Sequence, residues 1–335
     1  MNRYCYGLLA VLVIQAILWG QPVKVTRVTH RDMQAVTETG TSAFTPQMIG
    51  KVSLEGILLN APEQWLNPTP DPTIAPWFMG GQWQIAIQGE GNDHAGTFCW
   101  MGQNYGNGPG DYNYTNVQWL SELQRLNHDP NTGYVFRPGD RVRVTGYYLF
   151  YEGVVNINEN HSIDPALDFT LELMKPAVGL PQPESVTLAD LKDAQDQPIF
   201  DPNRLVGPEY YQGCLTRIED VNIINPENWG QGRTITVADA TGRTFPVYLA
   251  RGAGIAQHTC PAGQIDVIGI MDQAGLTDGY HLLVMDYDGN GLVLGQMTTQ
   301  RGNLPEDING DHQVTIEDVN LVQAAVGQTC AGLVE

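Results

Sequence analysis

One order of strand-like segments occurs twice along this chain of 335 residues, and this repeat restricts the fold more than any other feature. Each copy has three apolar or alternating segments, a turn with Pro and Gly, and a further alternating segment: 51–59, 82–88, 95–101 and 141–146 in the first copy, and 213–221, 234–239, 244–249 and 265–270 in the second. Alternation of apolar and polar residues indicates strands with one buried face. We therefore expect a mainly β fold with two similar domains.

The first copy has a helix and a hairpin that can be predicted separately. Residues 116–126 follow a capping residue at Thr115 or Asn116, and their apolar members have helical spacing: Val117, Trp119, Leu120 and Leu123. The segments 147–151 and 154–157 flank a two-residue turn and predict a hairpin.

Three strands, an optional helix and a hairpin are the order of a five-stranded Greek-key barrel, the OB-fold. The segments "ADATGRTFPVYL" and "PAGQIDVIGIM" also resemble the OB-like domains of secreted bacterial proteins, some of which are attached to extracellular nucleases. We expect two tandem OB-like barrels over 45–172 and 208–297, joined by a Pro-rich linker, 173–207, with a short helix that begins at 186–191. Another small barrel or a sandwich would alternate in a similar way.

The first 20 residues join a short start with Arg3 to an apolar run that ends at Gly20. This pattern predicts a signal peptide over 1–20 and a mature chain that begins near Gln21. A membrane anchor is the alternative, but the run is shorter than the ~20 residues of a span and lacks a basic flank after it. We expect a secreted or cell-surface protein with no membrane span after cleavage, and Cys5 is not placed for lipid attachment.

The net charge of the chain is strongly negative. It is −20, and cleavage after Gly20 removes one Arg and leaves −21. Lys and Arg contacts to phosphates supply most non-specific affinity for nucleic acids, and an acidic chain repels them. Nucleic acid is therefore not the expected partner.

Four cysteines follow the predicted signal peptide: Cys99, Cys214, Cys260 and Cys330. An even number in an oxidising compartment allows one or two disulfides. Cys214 lies at the start of the first strand of the second copy and Cys260 just before the fourth, and because these strands pair in an OB barrel we predict a bridge between them. The cysteines and histidines have no spacing typical of a zinc site.

Aromatic residues crowd the first copy: Trp65, Trp77, Trp83, Trp100, Tyr105, Tyr112, Tyr114 and Trp119. Exposed rings stack on sugars or bases. We expect Trp83 and Trp100 to fill the barrel and Trp119 to fix the helix, which leaves Trp77 and the loop 105–114 as candidates for a surface platform. Because the chain is acidic, carbohydrate is the better expected ligand.

We find no nucleophile elbow, zinc-protease helix, phosphate-binding loop or dinucleotide fingerprint in the sequence. Any pair of acids, such as Asp140 and Asp266, would suffice in number for glycoside cleavage, but sequence does not give their separation. We predict no catalytic residues.

Residues 286–297 partly match the sequence pattern of a calcium-binding loop. They have the D-x-D-x-N-G spacing, but Met297 at the twelfth position cannot supply the closing carboxylate. We interpret the segment as a hairpin between 281–285 and 292–294 with an Asn-Gly turn.

A second calcium-type loop, 307–318, has the full ligand spacing. Its predicted ligands for Ca²⁺ are Asp307, Asn309, Asp311, the carbonyl of Gln313 and Asp318, at loop positions 1, 3, 5, 7 and 12. Thr315 and Asp318 form a capping box for a following helix that stops at Gly327. Pro305 precedes the loop, so no entering helix is expected.

A calcium loop followed only by its exiting helix, "EDINGDHQVTIEDVNLVQAAVG", resembles one repeat of the type I dockerin family over 305–327. The resemblance implies a small C-terminal calcium module. Two departures matter: His312 stands at the sixth position, where Gly is usual, and one repeat is present where dockerins generally use two to bind a cohesin. The resemblance therefore implies calcium binding more strongly than cohesin docking.

These features together predict a secreted, non-catalytic binding or surface-attachment protein with a calcium-stabilised dockerin-like module. Its expected partners are a carbohydrate or a cell-surface protein. Two alternatives stay open: an enzyme or accessory subunit of extracellular polysaccharide degradation, and an OB-fold nucleic-acid binder.

Overall fold

The computed structural model describes residues 23–44, 50–74, 80–105, 113–275 and 279–290 and the backbone of 293–294. The predicted signal peptide, 1–20, and the dockerin-like repeat, 305–327, lie outside these residues. The described strands form two sheets, which confirms the mainly β class.

We call residues 23–175 the first unit. Its elements are β1 (Val25–Arg27), α1 (His30–Met33), β2 (Lys51–Leu58), α2 (Pro62–Trp65), β3 (Gln82–Gln88), β4 (Gly96–Gly102), α3 (Asn116–Asn127), β5 (Arg141–Gly146), β6 (Tyr148–Tyr151), β7 (Val154–Ile157) and β8 (Thr170–Lys175).

We call residues 184–294 the second unit. Its elements are β9 (Glu184–Val186), α4 (Leu188–Leu191), β10 (Leu215–Ile223), a 3₁₀ turn (Pro226–Asn228), β11 (Arg233–Ala238), β12 (Thr244–Leu249), α5 (Ala253–Gln257), β13 (Ile265–Gly275), β14 (Gly279–Val284) and β15 (Val293–Leu294).

The strand pairings of the second unit close into a ring. β10 pairs antiparallel with both β11 and β13, and β11 pairs antiparallel with β12. β14 closes the ring because it pairs parallel with β12 and antiparallel with β13.

The first unit repeats this ring. β2 pairs antiparallel with β3 and β5, β3 pairs antiparallel with β4, and β4 pairs parallel with β7. β6 continues β5 after Tyr147 and pairs with β7, so β5 and β6 together take the place of β13. A short strand also runs parallel to the first ring strand of each unit, β1 beside β2 and β9 beside β10. The predicted internal repeat is thus present in the pairing order, and β8 is an addition to the first unit.

Alternation places one face of each ring strand in an apolar core. In β5, Val142 and Val144 are buried, while Arg143 points outward and its Nη2 lies 2.6 Å from Oε1 of Glu55. In β3, Trp83 is buried and its indole N–H donates to Oδ1 of Asn127 over 2.8 Å. Burial of such side chains is the main stabilising term for the strands.

The predicted helix is present as α3, with Thr115 as its N-cap in a capping box with Gln118. Its buried side chains are Trp119 and Leu126, whereas Val117 and Leu120 are 79% and 54% exposed. The helix therefore faces the core on the Trp119 side, and Val117 and Leu120 lie outside its buried face.

The segment 173–207 contributes to both units. β8 ends within it, and the predicted short helix is present as α4. Val186, Leu188 and Leu191 are buried in the core of the second unit. This part of the predicted linker is therefore part of a folded unit.

The predicted disulfide between Cys214 and Cys260 is absent, and both thiols are free. β10 and β13 pair as expected, but they run antiparallel, with Leu215 opposite Ile270. Cys214 therefore lies beside the far part of β13, while Cys260 precedes Ile265 at the opposite end.

The predicted hairpin between 281–285 and 292–294 is also wrong. Residues 279–284 form β14, whose partners are β12 and β13, and Val293 instead pairs in parallel with Asp266 of β13. Asp286, the first residue of the calcium-like segment, accepts a hydrogen bond from the backbone N–H of Gly254.

Each unit has its own apolar core, and a third apolar cluster joins the two units. Its buried members come from both: Leu59, Trp65, Ala86, Phe98 and Val154 from the first, and Leu215, Ala250, Ile268, Ile270, Leu283 and Met285 from the second. The rings of Trp65 and Phe98 meet edge to face with centroids 5.2 Å apart. Their burial fixes how the units face one another.

Two glycines allow a close backbone approach between the units. Gly213 has φ +72°, and a Cβ on it would lie 2.5 Å from Cα of Gly96. The N–H of Gly96 donates to the carbonyl of Gln212 over 2.9 Å. Only glycine at both positions permits this contact without displacement of backbone atoms.

Candidate binding site

The outward face of β3 and β4 forms one wall of a cleft between the units. Trp83 and Met101 are a register pair inside the core, so the next pair, Gln84 and Trp100, faces outward. The expectation that Trp100 fills the barrel is therefore wrong. Trp100 is half-buried, and its ring packs against Tyr105 and His161 of the first unit.

The second unit supplies the other wall through β12, β13 and β14. Tyr248, Asp272 and His281 project from these strands into the cleft. Nε2 of His281 lies 3.1 Å from Oδ2 of Asp272, and the His281 ring lies nearly parallel to that of Tyr248. This wall is therefore both aromatic and polar.

The cleft has a volume of about 740 Å³. This size lies in the ordinary range of ligand sites. The first unit also lines the cleft with Trp65 and Leu66 from the β2–β3 connection, with Tyr151 at the end of β6 and with Glu152 in the β6–β7 turn. The remaining lining residues are Gln82, Gln84, Phe98, Trp100, Tyr105, Val154, Asn156, Asn158, His161, Tyr248, Asp272, Gln273, Ala274, His281 and Leu283.

Three rings of the first unit form a connected group in the cleft. Trp100 meets Tyr105 with centroids 5.9 Å apart, and the ring of His161 lies 5.3 Å from each of them. Burial lowers the pKa of His161, so its imidazole is neutral at pH 7. These rings give the cleft a neutral surface on which a planar or ring-shaped ligand can stack.

Three non-glycine residues beside the cleft have left-handed backbone conformations. Glu152, Asn160 and His161 have φ values of 51°, 53° and 54°. This conformation costs free energy for residues with a Cβ, particularly Glu and His, and such residues are frequent at functional sites. Both loops that carry them line the cleft.

A buried hydrogen-bonded acid lies behind the loop that carries His161. Glu159 is fully buried and accepts a hydrogen bond from the Tyr114 hydroxyl. Burial, together with the neighbouring Asp168, raises the pKa of Glu159 to about 9. Glu159 is therefore protonated at pH 7 and ties the loop to the core as a neutral group.

The polar groups that line the cleft include amides, carboxylates, imidazoles and tyrosine hydroxyls. Among its described lining residues there is no Lys or Arg. The hydroxyl of Tyr105 and Oε1 of Gln273 are buried without a hydrogen-bond partner in the described part of the chain. Such groups need a partner from a bound ligand or water.

The residues predicted for the surface platform are only partly described. Trp77 and residues 106–112 lie outside the described residues, while Tyr105 and Tyr114 are buried in the first unit, with Tyr105 at the cleft. All five predicted calcium ligands, Asp307, Asn309, Asp311, Gln313 and Asp318, also lie outside. In the described ranges no group of three or more His, Cys, Asp or Glu residues is arranged to hold a metal.

Sequence reasoning missed the second wall of the cleft. One signal was available in β4, where Phe98, Cys99, Trp100 and Met101 are apolar on both faces. A strand that is apolar on both faces indicates a second contact surface.

Comparison with family models, with curated proteins and with solved structures gives no match to this chain. None of the described helices has the length and apolar character that crossing a membrane requires.

Proposed function

We propose that the protein is a secreted, non-catalytic binding protein whose cleft between the two units holds a carbohydrate chain. The observation that carries the proposal is the lining of the cleft, where aromatic rings stand beside amide side chains. Apolar ring faces stack on the C–H faces of sugars, and Asn and Gln offer both donors and acceptors to sugar hydroxyls.

The proposal includes two OB-like barrels. Support comes from the two rings of paired strands, each with a parallel pair between its third and fifth positions. In the OB-fold, the face of the second and third strands and the adjoining loops bind oligosaccharides or oligonucleotides. In the first unit this face is β3 and β4, and the loops with Trp65 and Glu152 adjoin it.

Charge favours carbohydrate over the nucleic-acid alternative. The described lining of the cleft includes carboxylates but no Lys or Arg, and the whole chain has a charge of −20. Neutralisation of phosphates by Lys and Arg would therefore not be available at this site.

The alternative of a polysaccharide-degrading enzyme is supported by the contact between His281 and Asp272. A carboxylate that orients an imidazole is a common arrangement for a general base. Release of reducing ends from a bound oligosaccharide, lost in His281→Gln, would favour the enzyme over the binding protein.

The binding proposal is tested with the mature protein on a glycan array, followed by calorimetry with the oligosaccharides that bind. Trp100→Ala should weaken binding by about tenfold or more, because one stacked ring contributes about 1–3 kcal/mol. Phe200→Ala is the matched control, since Phe200 is an exposed ring outside the cleft. No binding to any glycan, or equal effects of the two variants, would refute the proposal.

We also propose that 305–327 binds one Ca²⁺ through Asp307, Asn309, Asp311, the Gln313 carbonyl and Asp318. The support is the sequence spacing, since convergent carboxylates repel one another without a cation. Calorimetry of the mature protein should detect one calcium site that Asp311→Ala removes. Absence of calcium uptake at millimolar concentration would refute the module.

A further inference from the structure

The charged groups at the cleft have one sign. Glu152 of the first unit and Asp272 of the second both line it, and no Lys or Arg is among the described lining residues. Asp272 is itself in contact with His281 and, over 3.5 Å, with the amide of Gln212. A ligand with a positive charge would therefore meet attraction from both carboxylates, and the cation that can compete for Asp272 from the described lining is His281 when its imidazole is protonated.

The two carboxylates enter the cleft close to one contact between the units. Gly153 follows Glu152 in the β6–β7 turn with φ +94°, and a Cβ on Gly153 would overlap the side chain of Gln273. Gln273 is the residue after Asp272. The turn that carries Glu152 therefore lies directly against the strand that carries Asp272.

Two tyrosines, Tyr151 and Tyr248, line the cleft together with these acids. Tyr151 precedes Glu152 and is 56% exposed, and Tyr248 lies against His281 beside Asp272. The faces of aromatic rings attract cations as well as sugar C–H groups. Gln273 adds a buried acceptor, Oε1, that has no partner within the described residues.

We propose that this end of the cleft selects amino sugars, in which a protonated amine on the sugar ring lies between Glu152 and Asp272. The inference rests on the proposed carbohydrate function and names its ligand class. The chain's own charge of −20 adds a long-range attraction for a cationic glycan.

The test compares three β-1,4-linked hexasaccharides that differ in one substituent: glucosamine hexamer, N-acetylglucosamine hexamer and cellohexaose. Binding to the full mature protein is measured by calorimetry at about pH 6, where most of the free amines are protonated. The glucosamine hexamer should bind about tenfold tighter than cellohexaose, because a partly buried cation gains from both carboxylates and rings. Added salt should reduce this difference.

Two substitutions that keep side-chain size, Glu152→Gln and Asp272→Asn, should each remove most of the preference for the glucosamine hexamer over cellohexaose. Glu227→Gln is the matched control, because Glu227 is an exposed acid outside the cleft and its loss changes the net charge equally. Thermal unfolding of each variant checks that the fold is retained.

Equal binding of all three hexasaccharides would overturn the amino-sugar inference and leave the carbohydrate function standing. Failure of all three to bind, with no other glycan bound on the array, would overturn both. A lysine pentapeptide that binds as tightly as the glucosamine hexamer, with the same sensitivity to Glu152→Gln, would also overturn the inference, because the site would then recognise charge without a sugar.

Discussion

The two units have the same ring of strands but different outward faces on its second and third strands. In the first unit, β3 and β4 present Gln82, Gln84, Phe98 and Trp100. In the second unit, β11 and β12 present Thr234, Thr236 and Pro246, and Tyr248 is the one large ring of this face. Repetition of a fold therefore does not repeat a site, because outward residues are free of the packing that fixes inward ones.

The second unit contributes to the first unit's site because it supplies the opposite wall of the cleft. Its wall residues Asp272 and His281 belong to β13 and β14, which are the fourth and fifth strands of its ring. One unit thus offers its second and third strands, while the other closes over them with a different part of the same ring. The two walls form one cleft only if the orientation of the units relative to one another is fixed.

The largest expected effect comes from the glycine contact that fixes this orientation. Gly213→Ala should reduce the free energy of unfolding by about 3 kcal/mol or more, because the new Cβ would overlap Gly96 and the positive φ disfavours a side chain. Gly242→Ala is the matched control, since Gly242 has φ +88° but open space around it, and should cost about 1 kcal/mol. Urea unfolding measures both. Equal losses would show that the contact between the units does not constrain the fold.

A smaller effect is expected from the buried acid of the second unit. Glu209 and Arg204 are 2% and 4% exposed, Nε of Arg204 lies 3.7 Å from Oε2 of Glu209, and the Tyr280 hydroxyl donates to Glu209. Glu209→Gln should reduce the free energy of unfolding by about 3 kcal/mol, since a buried guanidinium would lose its counter-charge. Chemical denaturation at pH 7 tests this. A neutral outcome would mean that water or another group compensates Arg204.

The buried acid of the first unit should respond in the opposite direction. Burial and Asp168 raise the pKa of Glu159 to about 9, so its contribution to stability is full below the unfolded pKa of about 4.5 and is lost as pH rises toward 9. Glu159→Gln should therefore match the parent near pH 4 and exceed it by a margin that grows toward pH 8, at up to about 1.4 kcal/mol per pH unit. Unfolding curves over this pH range measure the difference. A variant that is less stable at every pH would show that Glu159 acts by packing or hydrogen bonding alone.

Most ring strands could be predicted from the sequence because alternation is a local property. The bounds of β3, β5, β7 and β12 agree with those predicted, β10 begins and ends two residues later than predicted, and β13 extends beyond its predicted end. β1 and β9 were missed because three residues carry no recognisable period, and each strand is stabilised by its parallel partner. β8 also lacks a clear alternation, since its burial depends on its pairing with β5.

The candidate site was harder to predict because it depends on how two units face one another. Crowding of aromatic residues in the first copy pointed to a ligand surface, but local pattern assigned Trp100 to the wrong face. Tyr248 and His281 carried no signal of their own, since they are separated by more than a hundred residues of chain from β3 and β4. Only the packing of the third cluster brings them to the same cleft.

The third cluster also determines whether the two units can be expressed as separate fragments. Expression of either unit alone would turn Phe98 and Trp65, or Ile270 and Leu283, into an exposed apolar patch. Truncation would then yield aggregation, which a deletion series would record as loss of ligand binding whichever unit was removed. For cloning and library work, the smallest useful piece of this chain is therefore the pair of units, and ligand contacts are better mapped by point substitutions in the intact pair.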